Sequence, residues 1–237
     1  MILLAAGIAG KCIIQNTLLG LSNLSGEQLL QMMDANPSVV SMVTLALVLQ
    51  AVEACAVPVF VFLLVEGFQK TSDLKLYALR VVGVALLAEI PYNLALGGKF
   101  LVMDSRNPVI AMVICMAMMY FYQRYAGAKV TNVLIKLVVT VAALLWTVIL
   151  GIEHGFLIVL LAATLWFTWD KQNWRTLGGV TVTMCGCILS PFYLAAPMTF
   201  LALHYYNGEK GDDTKWVNYL AYPAILTLFA LASAFMK

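Results

Sequence analysis

The residues that could do chemistry in this chain are a few charges and amides set in apolar sequence. Glu66, Arg80 and Glu89 fall within VPVFVFLLVEGFQKTSDLKLYALRVVGVALLAEIPYNLAL, which runs from Val57 to Leu96. An ionisable group at lipid depth costs ~2.5–3.5 kcal/mol on insertion scales, so such groups turn toward a bundle interior, where they lock helices or mark a site. Glu66 stands at the exit of one apolar run. Arg80 lies about a turn and a half into the next, so antiparallel packing would bring the two level. That pair reads either as a lock between two helices or as part of a polar cavity. Glu89 is the carboxylate to test first. Pro91 follows it and frees the carbonyl at position 87, and Asn93 comes one turn on. Lys11 and Glu53 lie near the middle of the first two apolar runs, where they could pair, neutralise or line a cavity.

Two histidines complete the inventory. His154 follows Glu153, and a carboxylate can orient an imidazole as a general base. Adjacent residues in a turn seldom face each other, so a structural or exposed imidazole is the competing reading. His204, in LALHYYNGEKG, suits a bond to a neighbouring carbonyl or an approach to a cytoplasmic ligand. Asn207-Gly208 beyond it reads as a left-handed helix cap. With Lys210 and Lys215 it could also receive phosphates, as could Lys70, Lys75, Lys171 and Arg175. The same cations suit anionic lipid heads.

The elements that must position these groups are membrane helices. The chain has 237 residues, 62% hydrophobic and 11% charged, with a mean hydropathy of +0.91. Soluble domains carry about 25% charge. Continuous apolar runs of ~20 residues recur throughout, which argues for an all-α polytopic bundle and against a β-barrel. Nine spans are expected, near residues 1–21, 38–68, 76–96, 108–122, 130–152, 156–169, 177–190, 194–206 and 217–236. The second should tilt or kink near Pro58. GEQLLQMMD reads as a short interfacial helix capped by Ser25. Met1 opens directly on an apolar run, so the first helix is expected to be retained. With the N-terminus inside, the cytoplasmic loops carry eight Lys and Arg against three elsewhere, which supports that orientation.

Other classes are disfavoured. A net charge of +2 without basic clusters gives no sign of a nucleic-acid partner. Cys12, Cys55, Cys115, Cys185 and Cys187 all lie in apolar runs and suggest neither a metal nor a disulfide framework. P-loop, GxGxxG, HExxH and GxSxG patterns are missing from the sequence.

Over most of its length the sequence resembles the TraX family of membrane proteins. The Val57–Leu96 stretch with its LLVEGF core carries the likeness first. Asn107 at the head of the fourth helix, Glu153-His154-Gly155 before an apolar run, LALHYYNGEKG and YLAYPAI follow in order. The resemblance implies one integral membrane domain over residues 1–237, in the bacterial cytoplasmic membrane. It implies an acyltransferase that carries acetyl from acetyl-CoA to a peptide or glycan acceptor; the family's named member acetylates conjugative pilin at its N-terminus. Lys75, Arg80 and Lys210 would then hold the donor's phosphates beside Asn207 and Gly208. Glu66, Glu89 or His154 would orient or deprotonate the acceptor. Asn16, Glu53, Asn93 and Asn107 would line the cavity, and one hydrated chamber open to the cytosol would join these groups. Two departures stand out. Gln15-Asn16 occupies the place of an Asp-His pair, and Ala224-Ile225 follows Tyr222-Pro223 where a histidine is expected. An amide cannot act as a general base. The alternatives are therefore an inactive family member serving as a membrane partner or binding subunit, or a small-molecule transporter.

Overall fold

A computed structural model describes residues 1–20, 25–97, 105–209 and 215–236, and is helical with no strands among them. The first apolar run forms α1 (Ile2–Ile8), which continues as a π-helix over Ala9–Leu18. α2 (Gly26–Ala35) starts on the expected cap. The Ser25 hydroxyl accepts from the Gln28 amide, and the Gln28 side chain accepts from the Ser25 N–H.

The long second run divides into α3 (Pro37–Ala54) and α4 (Ala56–Lys70) at Cys55. Pro58 lies in the first turn of α4; it lacks an N–H, and its ring excludes the carbonyl of residue 54. At the break itself, the Cys55 carbonyl accepts from the Thr199 hydroxyl at 3.0 Å. α5 (Leu74–Tyr92) contains Pro91 and passes into a second π-helix, Asn93–Gly97. α6 (Pro108–Arg124), α7 (Val130–Ile149) and α8 (Gly155–Thr168) follow with short connections. α9 (Gln172–Gly186) leads through a 3₁₀ turn at Pro191–Leu194 to α10 (Pro197–His204), and α11 (Lys215–Phe235) closes the chain.

The nine expected spans resolve less evenly than the hydropathy suggests. Among the described residues three stretches are long and apolar enough to cross a membrane: Pro37–Lys70, Leu74–Gly97 and Val130–Ile149. Shorter apolar helices cover Ile2–Asn16, Pro108–Arg124, Gly155–Thr168 and Tyr219–Phe235. The expected seventh and eighth spans are α9 and α10, with 15 and 8 residues. At 1.5 Å per residue they reach only about 22 and 12 Å, short of a hydrocarbon core of ~30 Å.

α8 is the centre of the packing and touches α4, α6, α7 and α9. Its Leu157, Ile158, Leu161 and Leu165 are fully buried with Val61, Phe62 and Val65 of α4. This aliphatic core separates the two polar ends of the bundle. Glu53 and Glu66 lie thirteen residues apart along the α3–α4 run, which places them about 20 Å apart.

Candidate functional site

One polar cluster is built around the turn between α7 and α8. The π-helix after α1 brings Lys11 against this turn. Its Nζ lies 2.6 Å from Glu153 Oε1 and 3.3 Å from Glu53 Oε2 of α3. Gly7, one turn before Lys11, makes room for Glu53; a Cβ there would fall 2.2 Å from the Glu53 Cβ. Tyr92, at the end of α5, donates its hydroxyl to Glu153 Oε2 and lies 3.3 Å from the Ser105 hydroxyl.

The turn itself is held by reciprocal backbone bonds. Arg106 N–H donates to Gly151 O at 2.9 Å, and Glu153 N–H donates to Arg106 O at 3.0 Å. His154 has a left-handed backbone, φ +59°. That conformation costs a non-glycine residue about 1–2 kcal/mol. Here it brings His154 Nε2 to 3.7 Å from Glu153 Oε1 while Nδ1 hydrogen-bonds the Tyr193 hydroxyl from the 3₁₀ turn.

Electrostatics set the charge states at this turn. Burial alone would raise the Glu153 pKa, but the Lys11 ammonium, His154 and the bonds from Lys11 and Tyr92 bring it down to about 2. Burial lowers the His154 pKa below its ordinary 6.5, with Glu153 opposing part of the shift. The turn therefore holds an ionised carboxylate beside a neutral imidazole at neutral pH.

Two cavities meet at this cluster. A polar one of about 290 Å³ is lined by Lys11, Gln15, Asn16, Tyr92 and Asn93. A larger one of about 400 Å³ is lined by Thr147, Val148, His154, Phe156, Leu189 and Tyr193. Ser105 and Glu153 border both. The two π-helices wall the polar cavity and are joined where Asn16 Nδ2 donates to Leu96 O at 2.8 Å. Such i→i+5 segments recur at functional sites.

A second cluster lies at the opposite end. Lys70 Nζ donates to Glu66 Oε1 at 2.8 Å and to Gly208 O at 3.0 Å. The Tyr206 hydroxyl donates to Glu66 Oε2 at 3.3 Å. The two most specific pieces of the sequence, LLVEGF and YNG, thus touch each other. Arg175 lies 5.1 Å from the ring centroids of both Phe62 and Trp169.

Several sequence expectations change. Glu66 does not pair with Arg80. Its cation is Lys70, four residues on along the same helix, while Arg80 lies over the Tyr219 ring, 6.0 Å from its centroid. The single cytosol-facing chamber is replaced by two ends with the packed α4–α8 core between them. Glu89 lines neither cavity, and its Oε2 is buried with no hydrogen-bond partner. Lys75 is exposed in the first turn of α5. Asn207 is exposed and closes a local turn with Glu209. Gly208 has the expected positive φ, +69°, but lies beyond the cap of α10 at Tyr205. Lys210 lies outside the described residues. His204 is tied to α9 through Thr176 Oγ1, 2.9 Å from its Nδ1.

Glu53, His154, Asn16 and Asn93 do gather at the α7–α8 cluster. Asn107 caps α6 just beneath it; its Nδ2 donates to Ala85 O at 3.3 Å, and its Oδ1 accepts from Tyr222 at 3.0 Å. Sequence reasoning missed Tyr92, Ser105, Tyr193 and the role of Glu153 as the partner of Lys11. Tyr92 carried a usable signal, a polar-tipped aromatic between Pro91 and Asn93; Ser105 and Tyr193 carried none.

Comparison with known proteins adds one result. A family model described as TraX protein matches residues 41–233. Lys11, Gln15 and Asn16 precede the matched segment; Glu53, Tyr92, Glu153, His154 and Tyr193 fall inside it. No curated protein and no solved structure matches the chain.

Proposed function

The chain belongs to the TraX family, and from that premise and the geometry of the α7–α8 turn we propose that it is a membrane acyltransferase with His154 as its general base. The observation that carries this reading is the pair of cavities sharing one wall, Ser105 and Glu153, with His154 beside it. A direct transfer requires donor and acceptor to be held together at the reacting group, and two cavities with a common wall offer that arrangement. The imidazole that Gln15-Asn16 fails to supply from the first helix comes from the turn across the same cluster.

The chemistry follows from these contacts. In the tautomer with Nδ1–H directed at the Tyr193 oxygen, the Nε2 lone pair is free to take a proton from an acceptor hydroxyl or amine in the larger cavity. The acceptor oxygen or nitrogen then bonds to the acyl carbon of an activated donor in the polar cavity, and the donor's leaving group departs with the proton returned by His154. Positive charge develops on the imidazole 3.7 Å from the Glu153 carboxylate, which stabilises it. Lys11 and Tyr92 hold that carboxylate in place and ionised.

Acetyl-CoA is the donor the family resemblance implies. The cations of the opposite end, Lys70 and Arg175, do not fit its phosphates to this reaction, since they lie at the Glu66 end and the packed core stands between that end and Glu153. In the polar cavity Lys11 is already shared by two carboxylates. The roles of His154, Glu153, Lys11 and Tyr92 are therefore independent of coenzyme A.

One observation favours the non-catalytic alternative: Asn16 is committed to a structural bond with Leu96, so the first helix contributes an amide strut. Two measurements on purified protein in detergent decide between the readings. Thermal unfolding with millimolar coenzyme A or acetyl-CoA should move upward, because a ligand bound to the folded state stabilises it. Release of free thiol from acetyl-CoA with a membrane extract as acceptor should be lost in His154→Gln. A thermal shift with no thiol release would sink the enzymatic reading.

A further inference from the structure

The larger cavity is a groove whose two sides carry exposed apolar residues. α7 and α9 both pack on α8, and the groove lies between their C-terminal ends across the start of α8. Val148 lines one side and Leu189 the other, and both are exposed, as are Leu145 and Ile149 near the first and Met184 and Ile188 near the second. Only 11% of the apolar window of α7 is buried within the protein, so nearly the whole helix faces its surroundings. α7 has 20 residues, about 30 Å at 1.5 Å per residue, which matches the hydrocarbon thickness. Its C-terminal end therefore lies where acyl chains give way to head groups. At that level the apolar lips end and the floor turns polar, with Ser105, Glu153, His154 and Ser190.

We propose that this groove takes a bilayer lipid from the side, its tails along the Val148 and Leu189 lips and its head over His154. Resting on the acyltransferase reading, that lipid is the acceptor, and its head must offer a hydroxyl or amine. Length match places the head at the right depth, and the gradient from aliphatic lips to a polar floor repeats the gradient of the lipid itself. A soluble acceptor would gain nothing from the exposed Ile188 and Leu189 at the entrance. An apolar membrane-borne peptide is the competing occupant.

The test uses the full chain in vesicles of phosphatidylethanolamine and phosphatidylglycerol, doped with a phosphatidylethanolamine that carries a photoreactive diazirine in its tail. Adducts should concentrate on residues 145–157 and 184–190, above the level on Leu86 and Leu87 of α5, which are also exposed. Leu189→Trp, which narrows the entrance, should cut the groove adducts several-fold and leave those on α5 unchanged. Equal labelling of α5 and the groove overturns the proposal. So does displacement of the probe by an apolar peptide with a free amino terminus but not by unlabelled lipid. With radiolabelled acetyl-CoA in the same vesicles, label in the lipid extract supports the acceptor role, and label confined to protein overturns it. Groove adducts that form normally with no acyl transfer at all would remove the enzymatic reading and leave the lipid site standing.

Discussion

Lys11 and Glu153 are 142 positions apart in the chain and meet at 2.6 Å. Their contact joins the first helix to the α7–α8 turn, and Glu53 of α3 reaches the same ammonium at 3.3 Å. Removing one partner of a buried pair is more damaging than its net worth implies, because the remaining charge stays buried. Lys11→Met should cost about 3–5 kcal/mol, read as a fall in the thermal midpoint in detergent. Adding Glu153→Gln should restore part of the loss, with a coupling energy of roughly 0.5–3 kcal/mol. Additive losses would mean the contact is not energetically linked.

Acid should switch the site off through His154. Its folded pKa lies below the ordinary 6.5, so the fold prefers the neutral imidazole. That preference is fully present above 6.5 and is lost as pH falls through the lowered value, so acyl transfer and stability should decline together there. Glu153, at about 2, stays ionised throughout this range. A rate that fails to decline anywhere between the ordinary imidazole range and the acid unfolding of the protein would remove His154 as the base.

Gly7 should tolerate no side chain. A Cβ at this position would meet the Glu53 Cβ, Cδ and Oε2 at 2.2–2.4 Å, so Gly7→Ala must push the carboxylate away from Lys11. A drop in thermal midpoint is expected, along with lost acyl transfer. Gly83→Ala is the control: nothing lies within 4 Å of its Cβ position, and alanine in mid-helix should be neutral or stabilising by up to about 1 kcal/mol.

At the other end, Glu66 and Arg80 should behave as strangers. Losses from Glu66→Gln and Arg80→Ala should add within about 0.5 kcal/mol, as for sites sharing no partner. Glu66→Leu should also release the Tyr206–Gly208 segment from α4, measured as faster amide hydrogen exchange at residues 205–209. Strong coupling between Glu66 and Arg80 would restore the pairing that the sequence suggested.

Helix identity was legible because apolar runs, prolines and caps are local signals. The Ser25 cap and the break near Pro58 follow from spacing alone. That Lys11 and Glu53 could pair was readable too, since both lie midway along apolar runs that follow one another, and they meet at 3.3 Å. The Glu66–Arg80 error came from matching depths without knowing faces. α5 packs chiefly on α6 and α11, which points Arg80 toward Tyr219, and Lys70 was already within reach of Glu66 one turn away. Glu153 could not be found as the partner of Lys11, because nothing local records a contact across that separation. Nor does sequence announce a left-handed histidine, the one conformation that lets adjacent side chains face each other here.

That backbone has a further consequence. Glycine would adopt φ +59° without steric penalty, yet this position carries a ring. Among the described residues it is the one non-glycine position with positive φ, and it coincides with the group assigned to proton transfer. Robustness and reactivity thus pull in opposite directions at a single α-carbon. A search for hardier versions of this protein would be drawn to the very substitution that silences it.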